Sequence, residues 1–191
     1  MNKSFIIIVL SLAVMAKAEL STSCPASPIM TNFDASRYVG KWYEIEKLSA
    51  GFEDNLKCIY AVYTPVNGSF IQVQNNGLNS LTGKPDVING YAYVPNANTP
   101  NHLLVVLKVP ISGFFIERTG KYDVWATDYQ TYSLVYSCQI VPPTNRKIEN
   151  VFILSRTRTL DSAILDNLKS MLASKGFNIS QLSVTTQDCD I

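Results

Sequence analysis

The sequence predicts an all-β domain: an eight-stranded up-and-down antiparallel barrel with one C-terminal α-helix packed against its outside. Three observations carry that expectation. Runs rich in Val, Ile, Tyr and Phe recur at short intervals, broken by clusters of Gly, Pro and Asn. Short turns join successive runs, which suits neighbours that pair antiparallel in chain order. Near the C-terminus the apolar spacing changes from alternating to helical.

The elements follow in order. Residues 1–18 read as a signal peptide: Lys3 supplies the basic start, 5–14 the apolar run and Ala16-Lys17-Ala18 the cleavage site. That run is too short to span a bilayer, so a single domain is expected over 19–191. Asp34 can cap a helical turn over Ala35-Ser36-Arg37-Tyr38, which would plug the barrel floor before Gly40 bends the chain. Strands are expected at 42–48, 57–64, 70–75, 86–94, 102–109, 121–127, 133–140 and 151–156. Asn67-Gly68 is a hairpin signal between two of them. Asp161 can cap a helix whose apolar face is Ile164, Leu165, Leu168, Met171 and Leu172, with Gly176 as its stop. Residues 183–186 read as a short last strand, and Arg146-Lys147 as loop. Segment 110–116 also reads as a loop by its Pro and Gly, although Ile111, Phe114, Phe115 and Ile116 are large and apolar. At the mouth it would serve as a lid, a lipid-touching rim or a partner surface, or fold back into the cavity. Phe52 would face it across the entrance.

Charge and cysteine content narrow the class. Lys and Arg total 16 against 15 Asp and Glu, a net charge of +1. Loss of Lys3 and Lys17 with the signal segment brings the mature chain to about −1. A nucleic-acid binder carries a basic excess on one face; here Arg146-Lys147 is an isolated pair, so no nucleic-acid partner is expected. Four cysteines in an exported chain point to two disulfides, with three possible connectivities. The cysteines lack metal-ligand spacing and His102 is the single imidazole, so no metal and no cofactor are expected. Asn67-Gly68-Ser69 and Asn178-Ile179-Ser180 match the N-glycosylation acceptor pattern. Residues 188–191 lack the apolar tail of a lipid-anchor signal, which leaves a free, secreted, extracellular protein as the expectation.

Gly40-Lys41-Trp42-Tyr43-Glu44, Thr127-Asp128-Tyr129 and Ser155-Arg156, in that order, resemble the signature of the lipocalins. Asn32-Phe33-Asp34 and Leu134-Val135-Tyr136-Ser137-Cys138 narrow the likeness to the apolipoprotein D, Lazarillo and bilin-binding group. It extends from Cys24 to Cys189, and the chain departs from the anchored Lazarillo members at its C-terminus. The resemblance implies that Trp42 lies on the floor with Arg156 over its ring, and that Thr127-Asp128-Tyr129 turns beside them. It implies the pairs Cys24–Cys138 and Cys58–Cys189. It also places Tyr63 and Asn75 inside, and Phe152 where apolipoprotein D has a pocket tryptophan. Strand parity then carries Ile59, Ala61, Ile71 and Val73 inward, with Tyr122, Val124, Ala126, Ser133, Val135, Ser137 and Leu154. The expected ligand contacts are Tyr63, Ile71, Val73, Asn75, Tyr122, Val124, Val135 and Phe152, with Phe114 from the loop. Small residues at Ala61, Ala126, Ser133 and Ser137 point to a cavity rather than a filled barrel.

Such an interior suits a small hydrophobic ligand, and the resemblance implies a carrier of a fatty acid, sterol, retinoid or bilin. The competing class is an enzyme. The isomerase kind of lipocalin uses a free cavity cysteine, whereas all four cysteines here are plausible disulfide partners, and His102 stands alone. Glu44 and Glu46 read as ion-paired or solvated rather than as an acid–base pair. No enzymatic activity is therefore expected. The third class is a module that binds a protein or membrane through 110–116.

Overall fold

A computed structural model describes residues 23–48, 51, 53–66, 70–111 and 113–189. The signal segment, Phe52 and the Asn67-Gly68-Ser69 turn lie outside the described residues.

A short helix α1 (Ala35–Tyr38) leads into eight strands: β1 (Gly40–Leu48), β2 (Leu56–Pro65), β3 (Phe70–Asn79), β4 (Pro85–Tyr93), β5 (His102–Ile111), β6 (Phe114–Thr127), β7 (Tyr132–Val141) and β8 (Arg146–Ser155). Helix α2 (Ser162–Ser174), a 3-10 turn (Ile179–Gln181) and a short strand β9 (Ser183–Val184) follow. From β1 to β8 each strand pairs antiparallel with the next, and β1 also pairs with β8, so the sheet closes on itself, while β9 adds to β1 from outside. The expected barrel and outer helix are both present. Asp34 caps α1 by accepting from the Ser36 amide, and Asp161 caps α2 by accepting from Ala163 and Ile164.

Alternation divides the side chains into two cores. Phe33, Tyr38, Trp42, Val73, Val124 and Val135 fill the lower barrel. Trp125, Leu134, Tyr136, Val151 and Ile153 face outward and are covered by Leu168 and Leu172 of α2. Cys24 is bonded to Cys138, which ties the N-terminal arm to β7.

The seam between β1 and β2 is closed in two ways. The strands pair only from Gly40 and Tyr63 to Tyr43 and Tyr60. Above that point they splay, and the C-terminal segment fills the gap. Thr185 donates its amide to the Ile45 carbonyl at 2.9 Å, and the Cys58 amide donates to Thr186 at 2.7 Å. Gln187 donates to the carbonyls of Glu44 and Ile59 at 2.9 and 2.8 Å. The Cys58–Cys189 disulfide clamps this patch at the mouth end.

Three local expectations are corrected. Segment 110–116 is not a loop: Ile111 pairs with Phe114, Pro110 with Phe115 and Val109 with Ile116, so the β5–β6 ribbon runs to its tip. The Pro and Gly that read as loop are tip residues, with Gly113 turning at φ 86°. Arg146-Lys147 begins β8, where alternation in a two-stranded ribbon tolerates charged outward positions. Ala126 leaves the interior. A bulge between Val124 and Ala126 inserts one residue and moves Ala126 to the outer core beside Trp125.

Candidate ligand site in the barrel

The floor is assembled from residues far apart in sequence. The Trp42 indole is fully buried and donates to the Tyr38 carbonyl at 2.8 Å. The Arg156 guanidinium lies 3.6 Å from its ring centroid. Arg156 also donates to the carbonyls of Tyr129 and Lys41, at 3.0 and 2.8 Å. Gly40 is required there: its φ is +95°, and a Cβ would stand 3.2 Å from the guanidinium. The Asp128 carboxylate accepts from the amides of Gln130, Thr131 and Tyr132, while Thr127 donates to the Tyr132 carbonyl. Burial opposes ionisation of Asp128, but these donors outweigh it and hold its pKa below the usual value.

Above the floor stands a cluster of hydroxyls. Tyr122 lies 3.1 Å from the Tyr38 hydroxyl and 2.9 Å from that of Tyr63, and Tyr38 lies 2.7 Å from Ser133. Burial pushes the Tyr38 phenol up to about 12 and also raises those of Tyr63 and Tyr122. All three keep their protons at neutral pH and remain available as donors.

Over this layer lies a cavity of about 60 Å³, bounded by Glu44, Ala61, Tyr63, Asn75, Tyr122 and Phe152. A void of about 20 Å³ adjoins it between Glu53, Asn75 and Asp86, and one of about 10 Å³ lies deeper, against Ile71, Val73 and Ala92. At the plugged end, an open groove of about 370 Å³ runs between α1 and the strand ends at Phe70, Tyr93 and Leu103 and reaches the inner-core residue Ile71.

Tyr63, Asn75, Tyr122 and Phe152, four of the expected ligand contacts, thus border the main cavity. Ile71 and Val73 border the deeper void. Val124 and Val135 are wholly buried in the inner core. Phe114 is the exception: it sits at the hairpin tip, 76% exposed, because β5 and β6 outrun the barrel wall and carry it clear of the interior.

Three residues of the cavity wall, Glu44, Glu53 and Tyr60, escaped the sequence reading. Glu44 is buried, and its place was legible: it shares the parity of Trp42 two positions earlier. Glu53 lies between strands, where no periodicity orients a side chain, yet it reaches into the wall. Lys47 joins them, with its ammonium 3.2 Å from Glu44 and 3.0 Å from Glu53. Thr185 donates to Glu44 at 2.5 Å. Burial, then the Glu44 charge, pushes the Glu53 carboxyl up to about 8, against the pull of Lys47. Glu46 points the other way and pairs with Lys169 of α2 at 2.6 Å.

Comparison with known proteins accords with this architecture. The family profile described as "Lipocalin-like domain" matches residues 33–187. Apolipoprotein D of Macaca fascicularis is 35% identical over 165 residues, covering 86% of this chain and 82% of that one. The outer membrane lipoprotein Blc of Vibrio cholerae is 32% identical over 158 residues, covering 83% and 85%. The solved structure of insecticyanin from the tobacco hornworm Manduca sexta superposes with a TM-score of 0.72 at 23% identity, covering 85% of each chain. A profile match over most of the chain, on a closed barrel whose floor carries Trp42 under Arg156, identifies this protein as a member of the lipocalin family.

Proposed function

We propose that the protein binds a small hydrophobic ligand inside the barrel and carries it through extracellular fluid. The observation that supports this most is the space inside the barrel above the tyrosine layer, apolar along Ala61, Phe152 and Leu154 and polar at Glu44, Glu53 and Asn75. Burial of ligand surface there yields about 25 cal/mol per Å² before the costs of ordering. Pockets for drug-sized ligands measure about 300 Å³ or more, so a ligand of that size requires the cavity wall to yield. Both disulfides fit an oxidising compartment, which supports export after loss of residues 1–18. Asn178 is exposed and remains a proposed glycan acceptor, as does Asn67. All four cysteines are held in disulfides, which leaves no cavity thiol for isomerase chemistry and favours a binder.

A second reading, contact with a membrane or a protein through the rim, is favoured by Phe114 and Phe115, 76% and 73% exposed at the hairpin tip. One experiment weighs both. Trp42 and Trp125 fluorescence is followed while retinol, a sterol, a fatty acid and a bilin are added. Saturable one-to-one quenching that is lost in Ala61→Leu and kept in Phe114→Ser/Phe115→Ser is the expected result. Binding that survives Ala61→Leu removes the cavity from the proposal. Loss of vesicle or partner binding in the double-Ser variant alone assigns the rim its own role.

A further inference from the structure

The polar end of the cavity holds an unbalanced charge. Two carboxylates, Glu44 and Glu53, share one ammonium, Lys47, and these side chains are only 3%, 9% and 11% exposed. When both carboxylates are ionised, one negative charge is left over in a poorly solvated place. In the empty protein a proton on Glu53 meets that deficit. The remaining boundary offers no basic side chain: among the described residues it adds Tyr60, Tyr63, Tyr122 and Asn75 as polar groups. Among the described residues Asn75 makes no side-chain hydrogen bond, so its amide oxygen can accept one from a ligand. The Tyr63 and Tyr122 rings add π faces at the same level.

We infer that the cavity selects, among hydrophobic ligands, those that bear a cationic nitrogen, with the ammonium received by Glu44, Glu53 and Asn75. This rests on the carrier reading above and names its ligand class. The ligand's carbon skeleton lies along Phe152 and Leu154. A ligand carboxylate at the same place would set a third acid against two, so fatty acids and acidic bilins are disfavoured. The exchange balances: the ammonium enters charged, the Glu53 O–H bond breaks, and its proton leaves to solvent as the carboxylate pairs with the nitrogen. The groups that face Glu53 are Glu44 and Lys47 on β1, Tyr60 and Tyr63 on β2, Asp86 on β4 and Tyr122 on β6. The buried phenols of Tyr63 and Tyr122 hold their protons, which leaves Glu53 as the group that releases one.

The test uses three probes of one chain length, decylamine, decanol and decanoate, titrated calorimetrically at about pH 7 in two buffers of different ionisation enthalpy. Decylamine is expected to bind about tenfold or more tightly than decanoate, with release of about one proton, while decanol binds with none. Glu53→Gln, which matches the protonated side chain in shape and so preserves the fold, should abolish the proton release and weaken decylamine about tenfold more than it weakens decanol. Decanoate binding as tightly as decylamine overturns the inference, as does amine binding that Glu53→Gln leaves intact. Binding of decanol and decanoate without decylamine overturns it while sparing the carrier reading. Binding of none of the three removes the carrier reading, and this inference with it.

Discussion

Arg156 shows how much one side chain at the barrel floor accomplishes. Its guanidinium covers the Trp42 ring at 3.6 Å while its nitrogens reach the carbonyls of Tyr129 and Lys41, so one planar fork joins β1, the β6–β7 turn and the end of β8. A lysine has neither the plane nor the fork. Arg156→Lys should lower stability by about 2 kcal/mol, measured by urea unfolding, since it loses the stacking and a charged hydrogen bond. Glu53 makes the opposite kind of contribution. Its folded pKa, raised to about 8, lies above the unfolded carboxylate value, so between the two the folded state keeps a proton that the unfolded chain has lost. Stability should therefore fall as pH rises from about 5 to about 8 and then level off. Thermal midpoints at the two ends of that window should show the slope in the wild type, and Glu53→Gln should flatten it. Trp42 and Arg156 were legible because their motifs carry them, and Glu44 because parity does. Glu53 was not, since a residue between strands is oriented only by the partner it meets, here Lys47 six positions earlier in the chain.

At the scale of elements, the β1–β2 seam is the unusual part of the barrel. A regular ladder would hydrogen-bond along its whole length, but here the C-terminal segment supplies the upper half of it through Thr185, Thr186 and Gln187. The Cys58–Cys189 bond spans 131 residues of sequence, and a loop of that length restricts the unfolded chain strongly. Replacing both cysteines by alanine should cost about 4 kcal/mol, read from denaturant midpoints of the oxidised wild type and the variant. In that variant, hydrogen exchange of the backbone amides at positions 58 and 185 should rise first, because the clamp holds the segment that protects them. The β5–β6 ribbon explains why the 110–116 reading missed. Pro and Gly mark a reversal of direction, but they do not say how many flanking residues pair on either side of it. Pairing from Val109–Ile116 up to Ile111–Phe114 was set by the reach of two strands past the wall. The Val124–Ala126 bulge is the same kind of silence: one inserted residue changes no composition, yet it turns Ala126 from the inner core to the outer one.

For the whole molecule, closure of the barrel converts a simple alternation into two compartments. Inward residues of the lower half pack around Trp42, and outward ones on β6, β7 and β8 gain cover from α2, so both faces of that wall are buried. The upper half, with its splayed seam, keeps the open volume and the charged wall, which is why ligand selection is argued there. The sequence by itself determined the all-β class, the succession of strands, the capped outer helix and the residues of the floor. These depend on local alternation, turn chemistry and short motifs, all written along the chain. Tertiary structure alone decided the depth of the cavity, the outward placement of Phe114 and Ala126, and the meeting of Glu44, Lys47 and Glu53 with Thr185. Those depend on strand register, on one bulge and on a C-terminal segment that returns across more than a hundred residues, and no local pattern encodes a distance of that kind.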